Sequence, residues 1–365
     1  MNESIDIQLD TIGQDRPKQI LSRALLSNRV PHAYLFSGPH GVGKEALAIE
    51  FTKALFCTSQ EKRPCNICSN CTRIARFQHP DFMFLFPMTG DDIEEQNKVL
   101  QSVATNPYAR KQPWAAPLIS IDAVRQLRKT SKLKPLEGKR MVVIAQADKM
   151  NIQAANAILK ILEEPPDSMH LVLTTSQPSK LLPTILSRCQ EIRLGPLRAE
   201  NIESALVERE GLKGEEARLL SLAAQGSYGR ALEWKDEGFH EKRETALDIL
   251  RTCLKPRKIQ FDMINDLLQK YDKGTIRKIL TWLIFWYRDS QVAFILGDQA
   301  VASERIVNAD LFDTLRKFNA TFETIDHEKS ILEIERSIDM LERNIQIQLV
   351  LIVLFQRLGR AMKKH

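Results

Sequence analysis

Ala33-Tyr34-Leu35-Phe36-Ser37-Gly38-Pro39-His40-Gly41-Val42-Gly43-Lys44-Glu45 is the stretch on which the reading of this chain turns. Its first four residues form a short apolar run with the character of a buried strand. Its last residue opens positions 45–55, where Leu47, Ala48, Phe51 and Leu55 recur at helical spacing. Between strand and helix, residues 38–44 spell Gly-x-x-x-x-Gly-Lys, the phosphate-binding loop of nucleotide-using proteins. Glycines let backbone N–H groups close around phosphate oxygens, the helix N-terminus adds positive potential, and Lys44 supplies a point charge. The pattern calls next for Ser or Thr, whose hydroxyl holds Mg²⁺, and here Glu45 stands there instead. An ordinary glycine turn is the plainer reading; the flanking strand and helix favour the phosphate loop, with its metal handle missing.

A length of 365 residues suits two or three domains with a substantial core. The net charge of +6 is mild: it permits contact with nucleic acid without demanding it, and fits a solvated surface equally well. The N-terminal residues are polar and acidic, unlike an export signal. The most apolar run, residues 349–355, falls far short of the roughly 20 residues that span a bilayer. A cytoplasmic protein without membrane contact is expected, its six cysteines reduced or metal-bound rather than paired.

Four of those cysteines, Cys57, Cys65, Cys68 and Cys71, lie within fifteen residues and contain two Cys-x-x-Cys spacings. Thiolates so spaced reach one tetrahedral Zn²⁺, and Pro64 and Asn66 suit the tight backbone of such a knuckle. The bacterial iron–sulfur run places a fourth cysteine three residues on, followed by proline, and that is absent after Cys71. Free thiols are the remaining alternative. With no His, Asp or Glu in the set to leave an open position, a structural zinc is expected rather than a catalytic one.

Elsewhere, Asp15 as N-cap with Pro17 in the first turn predicts a helix to about Asn28. Residues 81–86, 140–145, 170–175 and 191–194 read as further strands, alternating with helices, which implies a parallel sheet covered on both faces. Residues 87–117 read as an irregular surface insertion with acidic Asp91, Asp92, Glu94 and Glu95 and an exposed Trp114. Ser120 caps a helix to about Leu133 that carries Arg125, Arg128, Lys129, Lys132 and, just beyond it, Lys134. That face suits DNA phosphates or a partner, although charged helix faces are usually just solvated. The strand at 140–145 should end, in a phosphate-loop ATPase, in an acidic pair that binds Mg²⁺ and polarises water. Ala145 and Gln146 follow Ile144 instead, with Asp148 two further on, so the same site carries a second, independent defect. Past Gly195-Pro196 strand signals vanish. Helices follow at about 199–210 and 214–224, a turn at 226–230, then aromatic-rich 275–296 and residues 330–362. The run at 349–355 is apolar on every side and should be buried all round, within a helical bundle or against neighbouring subunits.

At residues 38–44, the four cysteines, residues 156–166 (Asn-Ala-Ile-Leu-Lys-Ile-Leu-Glu-Glu-Pro-Pro) and Ser187-Arg188-Cys189, the chain resembles bacterial sliding-clamp loader subunits of the AAA+ class. The likeness covers residues ~10 to ~235, and its broken metal positions are similar to the non-hydrolysing branch rather than the ATP-hydrolysing gamma/tau branch. The resemblance implies an α/β AAA+ core with the inserted zinc knuckle (1–195), a small helical lid (196–238) and an all-α collar (239–365). It implies gamma/tau and delta subunits, the sliding clamp and primed DNA as partners within a DNA polymerase III assembly. It assigns Arg188 to a neighbouring subunit's nucleotide as an arginine finger acting in trans, and sets Arg230 in the sensor region, where a structural salt bridge is the equal alternative. Gly38, Gly41, Gly43 and Lys44 leave phosphate binding chemically available, whereas turnover is not expected of a site with Glu45, Ala145 and Gln146.

Overall fold

The computed structural model describes residues 5–90, 92–109, 113–114, 116–131, 133–166, 168–302 and 305–362. Asp91 and Lys132, two of the charges named above, lie outside the described residues. The chain divides into two compact units: Met1–Glu210 with Ala224–Leu232, and Gly211–Ala223 with Glu233–His365.

In the first unit the elements run β1 (Asp6–Ile7), α1 (Asp15–Leu26), β2 (Ala33–Ser37), α2 (Lys44–Phe56), β3 (Lys62–Arg63), α3 (Ser69–Ala75), β4 (Phe82–Leu85), α4 (Ile93–Thr105), α5 (Ile121–Ser131), β5 (Arg140–Ile144), α6 (Ile152–Glu163), β6 (Met169–Thr175), α7 (Pro183–Leu186), β7 (Gln190–Arg193) and α8 (Ala199–Glu210). Among the described residues, β4-β5-β6-β2-β7 form one sheet in that spatial order, every pair parallel. The five strands expected from the sequence are these five. Successive residues point to opposite faces of a strand, and both faces here are apolar. Leu35, Val142, Ile144, Leu171 and Leu173 pack with α5, α6 and α7 on one side. Tyr34, Phe36, Met141, Val143, Val172 and Ile192 pack with α1, α2 and α3 on the other. That two-sided burial is why β2, β5 and β6 read as near-continuous hydrophobic runs, whereas edge strand β7 buries only Ile192.

Several local expectations are corrected. Gln14, in left-handed conformation at φ 59°, is the N-cap of α1, and Asp15 is its first helical residue. Between β6 and β7, where the residue pattern at 180–186 suggests one helix, a 3₁₀ turn at Pro178–Lys180 precedes the short α7. The 87–117 insertion is not irregular throughout. The Asp92 carboxylate caps α4 by accepting from the N–H groups of Glu94 and Glu95, so the acidic cluster is in part a helix start. Trp114 is not a free surface residue; its ring stacks on Phe86 at 6.3 Å.

The second unit is helical in its described residues: α9 (Gly214–Ala223), the end of α10 (Tyr228–Asp236) from Glu233 on, α11 (Phe239–Thr252), α12 (Arg257–Lys270), α13 (Lys273–Leu296), α14 (Gln299–Ala302), α15 (Phe312–Thr321), α16 (His327–Glu342) and α17 (Ile347–Ala361). Helix α13 is the axis, packed against α11, α15 and α16. Its aromatics build the core, with Trp282 edge-on to Trp234 at 5.2 Å and to Phe285 at 5.4 Å. Asp289 on the same helix is buried yet accepts from the N–H groups of Val307 and Asn308 and from Asn308 Nδ2; burial pushes its carboxyl up to about 6. Gly359 lets α17 pass α11, because a Cβ there would lie 2.5 Å from the Cys253 carbonyl. Within this chain the 349–355 run is covered on only part of its surface. Val350, Leu351, Leu354 and Phe355 are buried, whereas Leu349 and Val353 are 55% and 42% exposed, one turn apart on the same face. A run apolar on every side covers more of the helix than its neighbours can cover.

One buried ion pair ties the edge of the sheet together. Arg140 Nη2 lies 3.4 Å from Asp81 Oδ1, and both side chains are almost fully buried. Arg140 also donates to the carbonyls of Thr130 and Leu133 at the end of α5, and Asp81 accepts from the N–H of Glu137. Removing one partner of such a pair leaves an uncompensated buried charge. Asp81→Ala is therefore expected to lower unfolding free energy by about 3–5 kcal/mol, measured by urea denaturation followed by circular dichroism; a change below about 1 kcal/mol contradicts this account.

Candidate functional site

The phosphate loop forms between β2 and α2 as the sequence pattern requires. Gly41 and Gly43 have φ of 69° and 97°, left-handed values that a residue with a Cβ adopts only with strain. Gly38 passes so close to β7 that a Cβ would meet the Leu194 carbonyl at 2.2 Å. The loop is closed onto its own chain. Lys44 is buried, and its Nζ donates to the carbonyls of Gly38 (2.8 Å) and Pro39 (2.6 Å) and to Ser176 Oγ (3.0 Å). Burial pushes its ammonium down to about 8, against the opposing pull of Glu45 and Asp148. It stays protonated at neutral pH and spends its charge on neutral oxygens.

The strand end that should carry the acidic pair is apolar. Ala145 is fully buried with Ile49, Phe86, Val99 and Val103, the two valines coming from α4 of the insertion. Gln146 takes a left-handed conformation, and its N–H donates to Thr174 Oγ1. Asp148, the nearest carboxylate in sequence, accepts a 2.6 Å hydrogen bond from Thr175 Oγ1. Glu45 sits in the first turn of α2, where a carboxylate suits the helix N-terminus.

Arg188 follows α7 and is 35% exposed; its guanidinium lies 3.0 Å from Glu163 Oε1 and donates to the Thr184 carbonyl. Glu163 is the last residue of α6, so the sequence motif at 156–166 and the Ser-Arg-Cys tripeptide meet in space. Arg230 donates to Gln225 Oε1, and its N–H donates to Ser227 Oγ beside the loop.

The Sγ atoms of Cys57, Cys65, Cys68 and Cys71 all lie within 4.8 Å of one another. Tetrahedral zinc with Zn–S bonds of about 2.3 Å spaces its sulfurs by about 3.8 Å, so the donor set fits. Asn66 takes φ 62° as a knuckle turn requires, and the N–H groups of Cys65 and Cys68 donate to the sulfurs of Cys57 and Cys65. Cys71 is carried by α3, a helix not foreseen in the cysteine run. Neighbouring Asn70 donates to the Phe56 carbonyl and to Glu137, tying the cluster to α2 and to the turn before β5.

The α5 helix begins with the Ser120 cap, buries Val124 and Leu127, and exposes Arg125, Arg128 and Lys129 beside an open cleft of about 660 Å³.

Residues 13–198 match the family model for "DNA polymerase III, delta subunit". The chain belongs to that family. DNA polymerase III subunit delta' of Bacillus subtilis is 28% identical over 340 residues, covering 92% of this chain and 93% of that protein. The delta' subunit of Pseudomonas aeruginosa is 32% identical over 265 residues, 70% of each chain. DNA polymerase III subunit tau of Escherichia coli is 31% identical over 235 residues, 62% of this chain but only 32% of the relative's length. Within this polymerase family the chain is therefore similar to delta' subunits along most of its length, and to tau over part of it.

The residues that sequence reasoning missed are those that close the loop. Tyr108 comes from the insertion, and Thr11, Ser227 and Gly229 from segments distant in sequence. No periodicity or motif marks Tyr108 or Thr11, whereas Ser227 and Gly229 lie in the turn read at 226–230 without a sign that it meets the loop. For the cysteine cluster, purified protein is expected to hold about one zinc per chain by elemental analysis. Cys68→Ser should lower that content and raise amide hydrogen exchange over 57–71. Less than half an equivalent in carefully prepared wild type defeats the assignment.

Proposed function

We propose that this chain is a non-hydrolysing, delta'-like subunit of a DNA polymerase III clamp loader, working in the cytoplasm. In this reading it helps load the sliding clamp onto primed DNA and lends Arg188 to the ATPase site of a neighbouring gamma/tau subunit, with delta as a further partner. Its parts would be an AAA+ core at 1–195 carrying a structural zinc on Cys57, Cys65, Cys68 and Cys71, a helical lid at 196–238 and a collar at 239–365. The exposed Leu349 and Val353 suit a collar that meets other subunits.

The observation that carries the reading is Ala145, buried among apolar side chains at the strand end where a metal-binding carboxylate would stand. With Glu45 in place of a hydroxyl residue, neither conventional protein ligand for Mg²⁺ is present, while a guanidinium remains part-exposed at Arg188. Phosphoryl transfer depends on charge stabilisation, and a finger arginine supplied in trans is worth roughly 10³–10⁵ in rate. A gamma/tau-like motor is the rival, supported by the partial likeness to tau; it requires Asp148 or Glu45 to hold the cation, and Asp148 is already held by Thr175.

The isolated chain is expected to show no Mg²⁺-dependent ATP hydrolysis. Returned to an assembly with its partner ATPase, Arg188→Ala should reduce turnover by roughly 10³-fold or more relative to wild type. Robust turnover by the lone chain, abolished by Lys44→Ala, reverses the ranking in favour of the motor.

We assign the exposed cations of α5 to DNA phosphate in the same assembly. Each phosphate that a side chain neutralises adds about 0.9 to the steepness of log K against log salt. Replacing Arg125 and Arg128 together by Gln should weaken DNA binding by the complex and flatten that slope by about 2. An unchanged slope returns the face to ordinary solvation.

A further inference from the structure

The insertion at 87–117 does more than cover a strand end. Leaving α4, the chain makes a tight turn at Asn106, whose side-chain oxygen accepts from the N–H of Tyr108 at 3.0 Å and whose carbonyl accepts from Ala109. The turn delivers Tyr108 to the phosphate loop. Its ring is 8% exposed and edge-on to Tyr228, the first residue of α10, at 5.0 Å and 84°. Its hydroxyl accepts from the Ile12 N–H at 2.9 Å. A Cβ on Gly43 would lie 2.7 Å from Tyr108 Cε1 and 3.2 Å from Thr11 Cγ2, so the ring rests on the last glycine of the loop.

The same closure continues along the loop. The Gly229 N–H donates to the Gly41 carbonyl at 3.1 Å, and a Cβ on Gly41 would meet Ser227 Oγ at 2.2 Å. The Tyr108 carbonyl lies 2.7 Å from where a Cβ of Gly229 would be. Tyr108 is thus wedged between residues 11–12, Gly43 and the first turn of α10, a flat aromatic body with one acceptor on a backbone N–H. Those are the contacts a nucleobase makes in a protein pocket: a planar face against apolar atoms and a heteroatom accepting from the main chain. Lys44, meanwhile, is engaged by Gly38, Pro39 and Ser176.

We propose that Tyr108 is a built-in plug that occupies the base-binding side of this cradle and closes it to nucleoside triphosphates. The proposal rests on reading the loop as a disused nucleotide site, and goes beyond it. Missing metal ligands stop hydrolysis but leave binding open, whereas the tyrosine removes binding itself. A ligand seated here has to expel the ring and strip Lys44 from its three oxygens.

The test is a fluorescence titration of the full-length chain with N-methylanthraniloyl-ATP in Mg²⁺, with ATP hydrolysis measured on the same samples. Wild type and Tyr108→Phe, which keeps the ring, are expected to show no saturable binding in the micromolar range. Tyr108→Ala, with its fold checked by circular dichroism, should bind at least roughly tenfold more tightly than wild type. Micromolar binding by wild type, or a folded Tyr108→Ala no better than wild type, overturns the plug. If Tyr108→Ala does not fold, hydrogen exchange of wild-type residues 38–44 decides: slow exchange unchanged by ATP supports the plug, and further protection on adding ATP overturns it. Binding without turnover by wild type counts against the plug alone. Turnover by wild type counts against the non-hydrolysing reading.

Discussion

A protonated amine buried at the first turn of a helix is the constraint around which the first unit is arranged. Lys44 opens α2, where the helix dipole repels a cation, and it sits among groups that desolvate it. In a phosphate loop that conflict is resolved by the anion itself. Here the ammonium folds back onto two loop carbonyls and a serine hydroxyl, so the loop supplies its own counter-dipoles. The geometry asks for a backbone that curls tightly over the lysine, and this keeps Gly41 and Gly43 in the left-handed region. The glycines of a nucleotide cradle have here become the glycines of a close-packed knot.

The insertion packs onto the same site. Once no cation needs a carboxylate at the end of β5, Ala145 can be sealed under apolar side chains, and α4 brings Val99 and Val103 to do so. A carboxylate restored at that position would be desolvated with no metal beside it. Closure at the strand end and closure at the loop come from consecutive parts of one segment, α4 and the turn at Asn106. The two departures visible in the sequence are therefore not isolated: the packing around Ala145 and the loop leaves little room at either place.

Much of this is legible in the sequence because it is periodic or punctuated. The central strands β2, β5 and β6, buried on both faces, read as apolar runs, and the phosphate loop and the cysteine spacing are local patterns with a mechanism. Asn151 and Ser120 cap helices where their residue types say they should. What stays hidden is non-local. Helix α4 has only a short apolar stripe, Val99, Leu100 and Val103, behind a polar and acidic first half, and Trp114 reads as exposed because nothing nearby in sequence pairs with it. Tyr108 is an ordinary residue until Ile12 and Gly43 are brought to it. The run at 349–355 is only partly covered within this chain: hydropathy gives the number of apolar faces on a helix, not which of them the chain's own helices cover.

The contrast between the two basic groups bears on the proposed division of labour. Lys44 has three short hydrogen bonds in a desolvated site, so recruiting it to a phosphate means dismantling a packed structure. Arg188 has one carboxylate partner in a surface where its side chain is 35% exposed and that of Glu163 48% exposed. Solvent screening holds such a pair to about 1 kcal/mol or less. A doubly charged phosphate oxygen cluster outcompetes a single solvated carboxylate for a guanidinium, and does so bidentately. Glu163 therefore suits the work of keeping the arginine extended and oriented when no phosphate is near, without holding it against one. A lysine locked inward beside an arginine loosely held at the surface is the arrangement that the proposed division of labour calls for, in which the guanidinium serves a nucleotide on another subunit.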